Sequence, residues 1–366
     1  MFVSGTCLSY SRDQKRSGIL RRLPLAHPTG IELISPKGEW RGFVEPQTRE
    51  GMSALDDLWV MQGSLCDLKC KHCYTASSPT NHSLEQIRFD EMRPHLDDAR
   101  ALGVQKIYFT GGEVFVNEDV LRGRAETNEE FLASLEYALA IAPTEILTNG
   151  RRYIRSHFDA LARLRRQFGD RLRLRITLES FLEEDHDAIR GRGTFAQTVE
   201  TVVSLGSLGF TPVINAERPF LKISDDEEIR SRFAELFAKS NVQVEVNLIE
   251  NILEMGHQLV QIKKAGRKPS PEVFITTNCF AILQKPPESL MCHYSRCLQK
   301  VGGRIRYYPC PVIYDDERFD LGGTLEESFQ RVYLGHKNCY DYCMKGKGAS
   351  CRTQPIASHA PLTTHH

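Results

Sequence analysis

Between residues 57 and 260 short apolar runs alternate with longer segments of helical spacing, and this alternation limits the possible folds more than any other feature of the chain. Runs rich in Val, Ile and Leu occupy 58–62, 106–110, 145–148, 172–178, 211–215 and 242–249. Each has the length of a strand. The intervening segments repeat apolar residues every three or four positions, as in Phe131, Leu132, Leu135 and Leu139, or Ile229, Phe233, Leu236 and Phe237. The same spacing joins Ile154, Phe158, Leu161 and Leu164, and Phe195, Val199, Val202 and Val203. Strands separated by helices pair in parallel through right-handed crossovers, so six such units predict an α/β sheet or barrel. In these folds the loops after the carboxyl ends of the strands carry the chemistry.

The 366 residues hold 47 Lys and Arg against 47 Asp and Glu, so no global attraction to nucleic acid or to an acidic membrane is expected. No apolar run reaches the length of a membrane span, and the first thirty residues lack the apolar core of a signal peptide. A cytoplasmic chain is expected. Its 11 cysteines then point to metal or redox chemistry instead of a disulfide framework. They fall into two loci: Cys66, Cys70 and Cys73, and a second group between Cys279 and Cys351. Cys7 and Cys279 read as ordinary thiols.

The stretch SLCDLKCKHCYTASSP, residues 64–79, follows the first apolar run directly and sets three cysteines at that carboxyl end. A zinc site wants four ligands in close pairs and finds only His72 nearby. A redox dithiol needs Cys70 and Cys73 and leaves Cys66 unexplained. An iron–sulfur cubane on three thiolates uses every cysteine and leaves one iron open to a small ligand.

The spacing C-x3-C-x2-C after a first strand resembles the signature of the radical S-adenosylmethionine (SAM) superfamily. The resemblance implies a partial (β/α)6 radical SAM barrel over 57–260 and a 4Fe–4S cluster whose open iron chelates the amino and carboxyl groups of SAM. An electron from that cluster would cleave the sulfonium, and the 5′-deoxyadenosyl radical would remove a hydrogen atom from substrate.

Later segments match the family strand by strand. In FTGGEVF, Gly111, Gly112 and Glu113 resemble the glycine-rich motif at the methionine amino group. In LTNGRR, Thr148, Asn149 and Gly150 resemble a turn under the adenosyl group, a plain strand-ending turn being the alternative. In ITLESFLEEDHDAIRGRGTF, the resemblance gives Thr177 and Glu179 the places that bond the SAM ribose and Arg190 the place at its carboxylate. Ser180 stands where the family has Gly, and extra residues precede His186, so this loop is longer or differently shaped. His186 and Asp187 read as caps for the next helix. Asn215 and Glu217 leave the barrel edge after the fifth strand. On the sixth, Glu245 and Asn247 alternate with apolar residues and are the catalytic candidates, a lumen face and a solvent face being equally open.

The second locus interleaves Cys292, Cys297, Cys310, Cys339, Cys343 and Cys351 with a Gly-rich hairpin and a Leu321-Gly322 turn. Its order is similar to the SPASM and twitch extensions of radical SAM enzymes, although the Gly303 to Cys310 interval and the late cysteines are more widely spaced than in the full pattern. The resemblance implies an auxiliary iron–sulfur domain over 261–352 with one auxiliary 4Fe–4S cluster, Cys297, Cys310, Cys339 and Cys343 being expected to complete it. A four-cysteine zinc module is the alternative. Residues 1–56 read as an N-terminal extension with a hairpin turning at Pro36-Lys37-Gly38, and 353–366 as a disordered tail.

Two function classes follow. One is a radical SAM enzyme acting on a peptide or small-molecule biosynthetic substrate, reduced by an electron donor such as flavodoxin or ferredoxin. The other is a non-catalytic iron–sulfur or zinc scaffold or electron carrier. The barrel motifs favour the enzyme, because a carrier has no use for a SAM pocket. Formylglycine formation is disfavoured: Pro311 follows Cys310 where sulfatase-maturing relatives place Asp, and the nearest carboxylates are Asp315, Asp316 and Glu317.

Overall fold

A computed structural model describes residues 9–10, 32–33, 40–273, 275, 277–314 and 316–344. Cys7, the 36–38 turn, Asp315, Cys351 and the 353–366 tail lie outside the described residues. The strands Glu32–Leu33 and Trp40–Arg41 pair antiparallel on either side of the expected turn.

The principal sheet has eight strands: β1 Asp57–Met61, β2 Lys106–Thr110, β3 Thr144–Thr148, β4 Leu172–Thr177, β5 Val213–Glu217, β6 Glu245–Ile249, β7 Ser295–Val301 and β8 Arg304–Tyr308. Their order is β6-β5-β4-β3-β2-β1-β7-β8. The first six are all parallel, as the alternating pattern requires. Pairing of the fifth strand starts later than expected because Pro212 has no N–H to give to the ladder.

β7 lies parallel to β1, and β8 returns antiparallel to it. The C-terminal hairpin therefore extends the barrel's own sheet at the β1 edge, where Ser295, Arg296, Cys297 and Leu298 are buried. That pairing spans more than two hundred residues of sequence and leaves no local signal.

The connecting helices bury apolar stripes; of those read from the sequence, the one from Ile154 to Leu164 is divided, Ile154 lying in a separate short helix, Arg152–Arg155. Helix α1, Phe89–Ala101, buries Met92, Leu96 and Ala99. Helix α2, Glu129–Ile141, buries Phe131, Leu132, Leu135 and Leu139. Helix α3, Phe158–Phe168, buries Leu161 and Leu164. Helices α4, Glu183–Arg190, and α5, Thr194–Ser207, follow β4. Helix α6, Asp226–Ala238, buries Ile229, Phe233 and Phe237, and starts where the Asp225 carboxylate accepts the Glu228 N–H at 2.8 Å. Among the described residues no helix is long and apolar enough to cross a membrane.

Register fixes what the lumen sees. Thr177, Asn215 and Asn247 sit side by side across β4, β5 and β6. Because side chains alternate along a strand, Arg175 and Glu245 belong to the row below them, and Glu217 and Ile249 to the row above.

Candidate active site

The chain leaves β1 into the cysteine loop, and the Gly111-Gly112-Glu113 segment after β2 packs against its root. Gly112 N–H donates to the Gly63 carbonyl, and Glu113 N–H to the Leu65 carbonyl, each at 2.8 Å. A Cβ on Gly112 would lie 1.9 Å from the Leu65 oxygen, so only glycine fits. Gly111 has φ +136, and its Cβ would meet the Gly63 oxygen at 2.6 Å. The glycines thus hold the cysteine loop to the sheet. Gly112→Ala is expected to displace the 63–66 backbone and to leave protein that takes up less than half the iron of the parent on reconstitution. Iron analysis beside circular dichroism checks this, and full uptake would contradict it.

Behind this segment the Glu113 carboxylate accepts the Thr148 hydroxyl and the Asn149 N–H, both at 2.7 Å. Burial raises its pKa to about 7 against those hydrogen bonds. Glu113 does not reach the cavity wall and orients the 148–150 turn instead. Asn149 does reach the wall, and its amide donates to Asp67 at 2.8 Å, with Arg151 3.0 Å from the same carboxylate.

The three thiols face one space. Burial, then the charges of Asp67 and Glu113, push the Cys66 thiol up, and burial raises Cys70 to about 11. Such thiols stay protonated until a metal displaces the proton. Leu68 N–H points at Cys66 sulfur and Ser77 N–H at Cys73 sulfur, both at 3.4 Å. N–H groups aimed at sulfur are the kind of contact that tunes an iron–sulfur cluster. Among the described residues the one set of three metal-ligating side chains with ligand atoms all within 4.8 Å of each other is His72, Glu179 and Glu217. The three sulfurs of the cysteine loop do not all lie within 4.8 Å of one another. A cluster several ångströms across fits this spread.

Three loops meet at the rim above. His72 Nε2 lies 3.1 Å from Glu179 and 3.6 Å from Glu217, and the Arg190 guanidinium lies 3.4 Å from Glu179. Burial opposes charge on His72, but the two carboxylates outweigh it and raise the imidazole to about 9. Burial also opposes charge on Glu179, yet His72 and Arg190 hold it well below the usual range. Glu217 goes up, through burial and the nearby negative Glu179. His72 Nδ1, Arg190 Nε and Glu217 Oε2 are buried with no hydrogen-bond partner among the described residues. Unsatisfied buried groups round a cavity mark it as built for a polar ligand.

The long loop after β4 is held by its own residues. Glu179 N–H donates to His186 Nδ1 at 3.1 Å, and Asp187 accepts the Phe195 N–H at 2.8 Å at the start of α5. Asp187 thus caps α5 as expected, whereas His186, inside α4, holds the Glu179 backbone instead of capping a helix.

All these elements enclose one cavity of about 210 Å³. Of the expected residues, Cys66, Cys70, Cys73, Gly111, Gly112 and Asn149 line it, as do Thr177, Glu179, Arg190 and Asn247. Glu245 does not. It shares the lumen parity of Asn247 but stands at the opposite end of β6, half exposed and paired with Arg173 at 2.7 Å. Sequence reading missed Arg175, which lines the cavity from below and is held by buried Glu145. It also gave little weight to Asn215 and Glu217, for which period-two alternation on β5 was the available signal.

The second cysteine group gathers around a smaller cleft lined by Cys292, Cys310, Cys339 and Cys343. Burial and then the neighbouring thiols of Cys343, Cys339 and Cys292 push Cys310 up. Cys297 stands apart on β7, opposite Trp59 and Tyr308, and burial alone raises it. Cys292, and not the expected Cys297, shares the cleft with the other three, because Cys297 is a sheet residue held in the core by its pairing with β1. Val312 lines both this cleft and the large cavity.

The family model of the Radical SAM superfamily matches residues 62–236. Over 146 residues the chain is 32% identical to the Bacillus subtilis antilisterial bacteriocin subtilosin biosynthesis protein AlbA, a match covering 39% of this chain and 29% of that protein. Over 234 residues it is 24% identical to the GTP 3′,8-cyclase of Petrotoga mobilis, covering 58% of this chain and 68% of the cyclase. The crystal structure of Streptococcus suis SuiB bound to S-adenosylmethionine overlaps 73% of this chain and 63% of that one, with TM-score 0.49 and 14% identity. The chain thus spans under two thirds of the length of AlbA and of SuiB. The matched segment, just under half of the chain, opens at the cysteine loop and runs through β5 into α6, the elements that build the cavity, and this segment is similar to the radical SAM superfamily.

Proposed function

We propose that this protein cleaves SAM reductively and uses the resulting radical to take a hydrogen atom from a peptide substrate. The observation that carries the proposal is the single cavity in which three separated thiols meet polar groups from the loops after β3, β4 and β5. A non-catalytic carrier would not need these unpartnered polar atoms.

Cys66, Cys70 and Cys73 would hold the 4Fe–4S cluster, leaving one iron for SAM. When bound, that cluster supplies the electron that splits SAM into methionine and a 5′-deoxyadenosyl radical. Thr177 and Glu179 are the candidates to hold the ribose hydroxyls, and Arg190 the methionine carboxylate. His72, kept cationic between Glu179 and Glu217, would be released to rearrange when the ligand enters. Pro311, Val312 and Tyr342 close the cavity from the C-terminal segment and keep water from the reacting centre.

Cys292, Cys310, Cys339 and Cys343 are proposed to hold an auxiliary 4Fe–4S cluster. Val312, which lines both this cleft and the cavity, brings the two sites next to each other and supports a role in passing an electron to or from the substrate radical. An outside electron donor such as flavodoxin or ferredoxin would reduce the first cluster. Reconstituted parent protein is expected to hold about eight irons per chain, four for each cubane. Cys310→Ala should bring this to about four, while Cys297→Ala should leave it unchanged. Equal iron in both variants would refute the assignment of Cys292 over Cys297.

The peptide reading draws on the bacteriocin role in the name of AlbA and on the cavity's charge. A nucleoside triphosphate, the substrate named for the cyclases, would need several free cations. No lysine lines the cavity, and Arg175 and Arg190 are each paired with a buried glutamate. The test is anaerobic incubation of reconstituted protein with SAM and dithionite, which should give 5′-deoxyadenosine and methionine in equal amounts. Their absence with a fully loaded cluster would exclude the proposed activity.

A further inference from the structure

Below the rim, Asn247 Nδ2 donates to Asn215 Oδ1 at 2.5 Å, and both side chains line the cavity. Among the described residues neither amide makes a second hydrogen bond. That bond leaves the NH2 group of Asn215 and the carbonyl oxygen of Asn247 for the cavity.

We infer that Asn215 and Asn247 form a substrate clamp that binds the N–H and C=O of a single residue in an extended peptide. The inference rests on the radical SAM reading of the cavity and names its substrate class more narrowly. In an extended chain the N–H and C=O of one residue point to the same side, as in a hydrogen-bonded pair of an antiparallel ladder. The peptide C=O accepts from the free Asn215 N–H, and the peptide N–H donates to the free Asn247 oxygen. The clamp lies in the Thr177 row, directly below the Glu179 and Glu217 rim, so the clamped residue's Cα is held under the SAM site.

The backing of the clamp is suited to a neutral guest. Arg175, one row below, is tied to buried Glu145, which also pairs with Lys106 at 2.5 Å. A lactam edge such as that of guanine offers the same donor and acceptor. Its triphosphate, however, finds no free cation along the wall among the described residues.

The test compares two probes on reconstituted, SAM-loaded protein by NMR titration. One is N-acetylglycine N′-methylamide; the other is O-acetylglycolic acid N′-methylamide, which differs by an ester oxygen in place of the glycine N–H. The diamide should bind about tenfold more tightly, because the ester has no N–H at that position and leaves the Asn247 oxygen without a partner. In Asn247→Ala the ratio should fall to about one, a change that general loosening of the fold would not produce since both probes meet the same protein. Equal binding of the two probes by the parent, an unchanged ratio in Asn247→Ala, no measurable binding of the diamide, or tighter binding of GTP than of the diamide would each overturn the clamp. Failure of SAM cleavage is a separate result. It would remove the enzymatic reading, whereas the binding ratio reports on the clamp alone.

Discussion

Cys70→Ala is expected to lower 5′-deoxyadenosine formation to background while leaving about four irons per chain in place. Three thiolates are the fewest that hold a cubane and still leave an iron open. With Cys70 gone, Cys66 and Cys73 remain in the same loop, but two thiolates leave a second iron uncapped and the cluster is lost on handling. The residual iron belongs to the set around Cys310, which is built from other segments. The measurement pairs iron and sulfide analysis with chromatography of 5′-deoxyadenosine. Parent-level cleavage in this variant would mean that the three-thiol loop does not hold the reactive cluster.

Glu145→Ala is the largest expected effect on stability. Glu145 is fully buried on β3, and its carboxylate holds both Lys106 of β2 and Arg175 of β4. The facing cations, not burial, decide its ionisation: burial favours the neutral acid, yet Arg175 and Lys106 keep the carboxyl below its usual range. Removing it takes from Lys106 and Arg175 the carboxylate they share, and breaking a buried pair from one side costs about 3–5 kcal/mol. The denaturation midpoint of the iron-free protein should fall accordingly. Glu245→Ala, which removes one member of a half-exposed pair with Arg173, should change stability by less than about 1 kcal/mol. Similar losses in the two variants would contradict the picture of a dry, charge-balanced floor.

The pair Glu245 and Asn247 also marks where sequence reading runs out. Period-two alternation gives the face of a strand, and both residues do share the lumen parity. Depth along the strand depends on register with β5, which no local pattern encodes. Asn247 therefore reached the cavity and Glu245 the exposed start of β6. The six strands and their helices were legible because each is short, apolar and bounded, and the three-cysteine loop because close thiols in one loop have few uses.

Contacts between distant segments were not legible. The cluster of His72, Glu179 and Glu217 arises from the loops after β1 and β4 and the end of β5, and no local pattern brings the three residues together. The exchange of Cys297 for Cys292 has the same origin. A cysteine count places both before the hairpin, but β7 pairs with β1, which fixes Cys297 in the sheet and leaves Cys292, on the preceding turn Met291–Tyr294, facing Cys339 and Cys343.

Low-temperature electron paramagnetic resonance of dithionite-reduced Cys310→Ala protein, with and without SAM, tests the central claim most directly. In this variant the auxiliary site should be empty, so the signal comes from the cluster on Cys66, Cys70 and Cys73 alone. If SAM chelates the open iron of that cluster, its addition shifts the g values of the reduced 4Fe–4S signal. A spectrum that SAM leaves unchanged, from protein holding its four irons, would contradict the account.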